Sequence, residues 1–305
     1  MTAPDLAYVA LVVDDPEATA TILEKDIGLP KSTHASPSGN VPIISVGASA
    51  LALFQPDDPF LGADVKKGVH HVAIERDNLA TADAGLAGEP SVGLDGKSQI
   101  VIPPTKTCGV RVRLTEPLGL PPGTSDIVER IDHIGVASAD NVEARRVFID
   151  QLGCVYESQQ TDSEVETISE NFTSDTYNYI FHTRPSQLVG SMRVTFITVG
   201  DCEFEFIQDL TAQVTADEAR HDAAGNTRGD RSAIARYIAS RGAGLHHIAF
   251  KTPDTVAALA KLAAAGHRTI DTQGRPGSRR AQIGFVHPAA VGGVLTHFVQ
   301  REEIQ

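Results

Sequence analysis

Tryptophan is absent from the 305 residues, there are two methionines and three cysteines, and aromatic residues make up only 5%. Cys108, Cys154 and Cys202 lie far apart with no C-x-x-C spacing, which excludes a disulfide framework and a thiolate zinc site. Scarce aromatics leave few platforms for stacking nucleic-acid bases. Positive charge is short as well: 26 Lys+Arg stand against 39 Asp+Glu, a formal charge of −13. Nucleic acids and anionic membrane surfaces are bound by basic patches that displace counterions, so neither is an expected partner. No apolar run approaches the ~20 residues of a membrane span. The N-terminus lacks the basic start and unbroken apolar stretch of a signal peptide, so a cytoplasmic location is expected. What remains is ordinary globular material, 41% hydrophobic and 21% charged.

At roughly 150 residues per domain the length suits two domains or one large barrel, and an internal repeat decides between them. Leu6-Ala-Tyr-Val-Ala-Leu-Val-Val-Asp-Asp-Pro-Glu-Ala matches Ile131-Asp-His-Ile-Gly-Val-Ala-Ser-Ala-Asp-Asn-Val-Glu-Ala. Each reads as a strand, a helix capped by Asp or Asn, and a glycine that stops it. Gly68-Val-His-His-Val-Ala-Ile matches Gly244-Leu-His-His-Ile-Ala-Phe, each followed by an Ala/Leu-rich stretch with a helical pattern. Two further strand-like pairs follow: Val46-Gly-Ala-Ser-Ala-Leu-Ala-Leu-Phe with Val199-Gly-Asp-Cys-Glu-Phe-Glu-Phe-Ile, and Cys108-Gly-Val-Arg-Val-Arg-Leu with Gly292-Gly-Val-Leu-Thr-His-Phe. The chain is therefore one domain written twice, over 1–118 and 128–305, with a turn-rich linker between. Each copy divides into two strand–helix–three-strand units. The later copy carries polar insertions at 159–191 and 211–231, which read as lids over a site or as surface loops.

Four such units, with a histidine in the strand Asp132-His133-Ile134-Gly135-Val136, resemble the vicinal oxygen chelate superfamily of glyoxalases, bleomycin-resistance proteins, epimerases and extradiol dioxygenases. The likeness covers the whole chain as architecture. Over 128–301 the detail is similar to methylmalonyl-CoA epimerases, while the two-domain layout is more like the dioxygenases. The resemblance implies an α+β fold of two tandem domains, each a curved mixed sheet of two βαβββ units around a cleft. It also implies a metal held by one residue from the first and one from the last strand of each unit. Carried onto this sequence, those places hold His133, Glu205, His247 and His297. Imidazole plus carboxylate suits one divalent ion of zinc, iron, nickel, cobalt or manganese rather than calcium. Glu203 and Glu205 share a strand face, and Glu205 is preferred from its offset to the strand end.

The first copy is an internal control. Its corresponding residues are Tyr8, Ala52, His71 and Arg113, one good ligand and a repelling cation, so that half is expected to be degenerate and metal-free. His71 persisting there shows that a histidine at this strand position can also be structural.

In the resembled epimerases and glyoxalases the last-strand ligand is a glutamate; here it is His297. The extra positive charge favours an anionic substrate. The acid that an epimerase would need on the far side of its substrate has no match in Met192-Arg-Val-Thr-Phe-Ile. The expected function is a metal-dependent isomerase, epimerase or lyase acting through a metal-stabilised enolate on a small oxygenated substrate, whether carbonyl, carboxylate or thioester. Glu205 and His297 are its candidate catalytic groups, with His297 equally readable as a plain fourth ligand. A two-domain extradiol-type iron dioxygenase and a non-catalytic binding or resistance protein are the alternatives, and a homodimer stays open. Arg275, Arg279 and Arg280 read as a solvated loop or as a greeting for substrate charge, and His287 as a residue that shapes a loop.

Overall fold

A computed structural model describes residues 3–81, 85–210 and 233–302. Its first strand, β1 (Leu6–Val12), is buried at all seven positions, as a central strand covered on both faces must be. Around it lie β2 (Lys31–Ser36), β3 (Gly39–Val46), β4 (Ser49–Phe54), β5 (Gly68–Glu75), β6 (Glu89–Val92), β7 (Ser98–Ile102) and β8 (Val112–Thr115), in the order β2-β3-β4-β1-β5-β8-β7-β6. The second half repeats this layout with β9 (Arg130–Ser138), β10 (Val155–Glu166), β13 (Gln187–Val199), β14 (Cys202–Asp209), β15 (Gly244–Lys251), β16 (Arg275–Pro276), β17 (Gln282–Val286) and β18 (Thr296–Gln300). Its order, β10-β13-β14-β9-β15-β18-β17-β16, is the first order place for place. The duplication read from the sequence is thus a duplication of mixed eight-stranded sheets, one ending at Thr115 and the other starting at Arg130.

Three of the four expected helices form, each behind a carboxylate cap. The Asp15 side chain accepts from Ala18 N at 3.0 Å and opens α1 (Pro16–Ile22), with Pro16 at a position that needs no donor. Asp140 opens α2 (Asn141–Arg145) and Asp254 opens α4 (Thr255–Ala264) in the same manner. Both α1 and α2 run on into a wider π turn. The helix expected after β5 is reduced, among the described residues, to a single 3-10 turn at Leu79–Thr81. The Asn78 side chain competes there for backbone hydrogen bonds, accepting from Ala80 N at 3.0 Å. One helix outside the repeat, α3 (Ala233–Arg241), precedes β15.

The insertion at 159–191 is a regular β-ribbon and not an irregular loop. β10 and β13 pair from Val155↔Thr198 to Glu166↔Gln187, and β11 (Ser169–Ser174) with β12 (Asn178–Thr183) carries the ribbon onward. Thr, Val, Ile, Phe and Tyr are frequent through it, which favours strand. The insertion at 211–231 lies outside the described residues. None of the described helices is long and apolar enough to cross a membrane.

One apolar core runs through both halves. Val9, Leu11, Leu51 and Val72 join Ile134, Val136, Phe204 and Phe298 in it, and Phe148 packs at 4.9 Å on both Phe204 and Phe206. The opposite face of the first sheet is filled by a second cluster that includes Tyr8, Ala10, Ala52, Phe54, Leu61 and Ala73. By the repeat, Tyr8, Ala10 and Ala52 correspond to His133, Gly135 and Glu205. The face that is apolar in the first half is the face that carries polar chemistry in the second.

Candidate metal centre

β9 lies between β14 and β15, and its register sets the site. Gly135 stands opposite Glu205 on β14 and opposite His247 on β15. A methyl group at Gly135 would lie 2.0 Å from His247 Cε1, so this glycine is required for the space it leaves. β15 carries one extra residue between Leu245 and His247, a bulge at His246. That irregularity sets adjacent imidazoles side by side, with the Nδ1 atoms of His246 and His247 2.9 Å apart. β18, parallel to β15, brings His297 opposite Ala249.

The structure brings all four sequence-predicted residues together, each no more than 6% exposed. Glu205 Oε2 lies 3.2 Å from His133 Nε2 and 3.5 Å from His247 Nε2, and those two nitrogens are 3.3 Å apart. The His297 ring is centred 5.0 Å from that of His133 and 4.9 Å from that of His247. One nitrogen from each of the three histidines falls within 4.8 Å of the others, a cluster that could bind a divalent metal. His297 Nδ1 is buried with no hydrogen-bond partner.

Residues 132–285, just over half of the chain, match the family described as "Glyoxalase/Bleomycin resistance protein/Dioxygenase superfamily". The chain belongs to this superfamily. Among solved structures, a triple mutant of 4-hydroxymandelate synthase from Streptomyces coelicolor is similar over all of this chain and 94% of its own, with a TM-score of 0.63 at 16% identity. Methylmalonyl-CoA epimerase from Mycobacterium tuberculosis aligns with 59% of this chain and 93% of its own, at 20% identity and a TM-score of 0.40. The uncharacterized protein YqjC of Bacillus subtilis (strain 168) is 24% identical over 173 residues, 57% of this chain and 93% of its own. Epimerases and dioxygenases both belong to the superfamily, so enzyme activity is a plausible property of the chain, and the reaction is not decided by kinship.

Electrostatics within this superfamily site separate its members. Burial opposes charge on His133, but Glu205 and Asp132 outweigh it and raise its pKa to about 9. Burial lowers His247, with Glu205 partly offsetting it, and holds His297 well below the usual histidine range. Glu205 is buried, which disfavours its charge, yet His133 and His247 keep it well below the usual carboxylate range. An ionised carboxylate between two imidazoles, beside a neutral third, is a donor set that suits a divalent transition ion.

Several supporting residues escaped the sequence reading. His133 Nδ1 donates to Asp132 Oδ1 at 2.8 Å, which turns the Nε2 lone pair toward the cluster. Asp132 is buried in turn against Arg301 at 3.2 Å and Arg279 at 3.7 Å. The Asp-His adjacency was visible; its role was not. Asn substitution at Asp132 is expected to weaken metal binding about 10–100-fold while the protein still folds, read by competition with a chelator.

Arg279 corrects the solvated-loop expectation. Its Nη2 lies 2.7 Å from Glu203 Oε2 and its guanidinium sits 3.6 Å over the ring of Phe196. Arg301 adds a 3.4 Å contact to Glu203, so of the two glutamates on that face Glu203 is committed to arginines and Glu205 to imidazoles. Arg275 pairs with Asp271 at 3.1 Å and lies over Phe285, whose ring faces His297 at 4.6 Å. Of the three arginines only Arg280 is exposed. His287 accepts from Ala289 N at 3.2 Å and caps a 3-10 turn, the loop-shaping role expected of it.

A further acid lies on the strand beside Met192–Ile197, outside the four predicted residues. Asp162 on β10 is half-buried opposite Met192 of β13. Burial raises its pKa, a 2.6 Å bond from Gln160 pulls the other way, and the charge of Glu205 raises it again.

In the first half the corresponding residues meet but differ in kind. His71 Nε2 is 3.3 Å from the Tyr8 hydroxyl, and Arg113 donates to the Phe60 carbonyl at 2.6 Å while lying 4.0 Å over its ring. Burial pushes Tyr8 up to about 12 and His71 well below its usual range. Phe54 and Phe60 stack at 5.4 Å, and both rings pack near that of His71.

Proposed function

We propose that the chain holds one divalent ion of zinc, iron, nickel, cobalt or manganese through His133, Glu205, His247 and His297. We further propose that it acts as an isomerase or lyase on a small anionic substrate, moving a proton at a carbon next to a carbonyl. The observation that carries this reading is the convergence of four buried, metal-competent side chains from four neighbouring strands, with one carboxylate shared by two imidazoles. The donor set fits an ion: Glu205 is held ionised, His247 and His297 are held neutral, and His297 keeps one buried nitrogen unpartnered. When bound, the metal supplies a Lewis-acid charge that stabilises negative charge developing on a substrate oxygen.

The chain's own residues do the rest. Asp132 holds His133 in one tautomer. Phe285 covers one face of His297 and keeps water from it. Proton movement falls to Asp162, whose raised pKa suits a general acid or base and whose carboxylate is not tied to an imidazole. Glu205 and His297 are the other two groups able to move a proton. Three imidazoles with a single carboxylate leave the centre cationic when loaded, which favours an anionic substrate over a neutral one. No metal is assigned to the first half, and alanine at His71 should leave metal content unchanged.

Deuterium uptake at the α-carbon of small 2-oxo acids and acyl thioesters tests this reading. Metal-loaded protein is expected to catalyse exchange, chelator-treated protein is not, and D162N should lose about 100-fold or more while keeping its metal. Absence of exchange across such a panel by fully loaded protein would refute it. A second reading has one observation in its favour: Glu205 with His133 and His247 forms a two-histidine, one-carboxylate set of the kind that serves non-haem iron oxygenases. Oxygen consumption by anaerobically iron-loaded protein on addition of catechols or 2-oxo acids would establish it instead.

A further inference from the structure

A cavity of about 710 Å³ opens where the two halves meet, and its walls are related by the repeat. Gly68 and Gly244 begin β5 and β15, His70 and His246 occupy the two bulges, and Gly109 and Gly293 precede β8 and β18. Backbones touch beside it, since a methyl group at Gly109 would lie 2.0 Å from the carbonyl oxygen of Ala243. The cavity is therefore a product of the joined halves.

Its charge runs against that of the chain. Lys66, Lys67, Arg111 and Arg241 line it with Asp64 as the one carboxylate among the lining residues, in a protein of net charge −13. Arg111 donates to the carbonyl of Asp64 at 3.3 Å and Arg241 to the carbonyl of Lys67 at 3.2 Å. Both guanidiniums are thereby positioned by neutral backbone acceptors, and among the described residues neither is paired with a carboxylate. Lys67 is paired with Asp14.

A second observation is independent of that charge. His70 is 3% exposed, and its Nε2 is buried with no hydrogen-bond partner. Its Nδ1 lies 2.9 Å from His71 Nδ1, and His71 Nε2 is 3.3 Å from the Tyr8 hydroxyl, so the ring is fixed at one end and open at the other. Buried polar nitrogens are rarely left without a partner, and this one adjoins a cationic cavity.

We propose that this cavity binds a phosphate-type dianion, free or carried by a small metabolite, at a site separate from the imidazole–carboxylate centre. Guanidinium forks match a tetrahedral oxyanion, and the unpartnered His70 Nε2 would donate to it in the tautomer that carries its proton there. Such an occupant would adjoin the metal centre through His246, which lines the cavity and lies 2.9 Å from His247, Nδ1 to Nδ1.

Calorimetric titration of the full-length protein with inorganic phosphate and with pyrophosphate, at low ionic strength, tests the proposal. One anion per chain is expected, with R111Q weakening it at least about tenfold and K66Q, at an exposed position, about threefold. The K66Q measurement stands even if R111Q does not fold. Binding unchanged in K66Q, or reproduced by chloride, overturns the proposal. Phosphate bound only by metal-loaded protein would belong to the metal centre and overturns it equally, whereas binding that survives chelation supports it whatever becomes of the metal reading.

Discussion

Alanine at His133 is expected to weaken divalent-metal binding by at least about 100-fold and to abolish the exchange activity, because a ligand should cost no less than the 10–100-fold typical of its outer partners. The substitution removes the imidazole that touches Glu205 at 3.2 Å and Asp132 at 2.8 Å, so it also leaves two buried carboxylates without their common partner. The wild-type protein should show a pH signature as well. In the metal-free protein His133 titrates near 9, raised by Glu205 and Asp132 against the opposing effect of burial. Metal must displace that proton, so affinity should rise with pH up to about 9 and fall about tenfold per unit below it. H133A should flatten that slope. Chelator-competition titrations from pH 6 to 9 check both parts, and an H133A protein that retains wild-type metal content contradicts them.

Alanine at Gly135 is the second large effect, and it touches no charge. The added methyl would have to occupy space 2.0 Å from His247 Cε1 and 2.2 Å from Nδ1 of the same ring. Nothing there can yield cheaply. His247 is 4% exposed, its ring faces those of His133 and His297, and its Nδ1 is engaged with His246. Overpacking of this kind costs about 1–3 kcal/mol, and the strain falls on a ligand. The expected outcome is a folded protein with a melting temperature lowered by a few degrees and metal affinity reduced at least about tenfold. The same position in the first half is Ala10, opposite His71, so that half already tolerates the methyl that the second cannot. A G135A protein with full metal content would show that His247 is not held where the register places it.

Much of this was legible because the chain states its architecture twice. Tyr8 and His133, Ala52 and Glu205, His71 and His247, and Arg113 and His297 could be aligned from sequence, and strand alternation placed Glu203 and Glu205 on one face. What alternation cannot say is which of two carboxylates meets imidazole and which meets guanidinium. That depends on Arg279 and Arg301, which approach Glu203 from loops and ends remote in sequence. Asp162 was hidden for a related reason: it lies in an insertion with no counterpart in the first copy, and only the pairing of β10 with β13 brings it near Glu205. After β5 the described residues form a 3-10 turn at Leu79–Thr81 where a helix was expected, since the Asn78 side chain accepts from Ala80 N and serves a tight turn better than a helix. The cavity between the halves was beyond any reading of one copy, because each copy supplies half of its wall.

The central claim is that one metal sits among His133, Glu205, His247 and His297 and none sits in the first half. Diffraction data from a crystal of the full-length protein, collected on both sides of the absorption edges of zinc, iron, nickel, cobalt and manganese, test it most directly. The account predicts a single anomalous peak per chain, within bonding distance of those four side chains and absent from the cleft of Tyr8, His71 and Arg113. A peak bound elsewhere, or a fully metal-loaded solution that yields crystals with no peak at this centre, would contradict it.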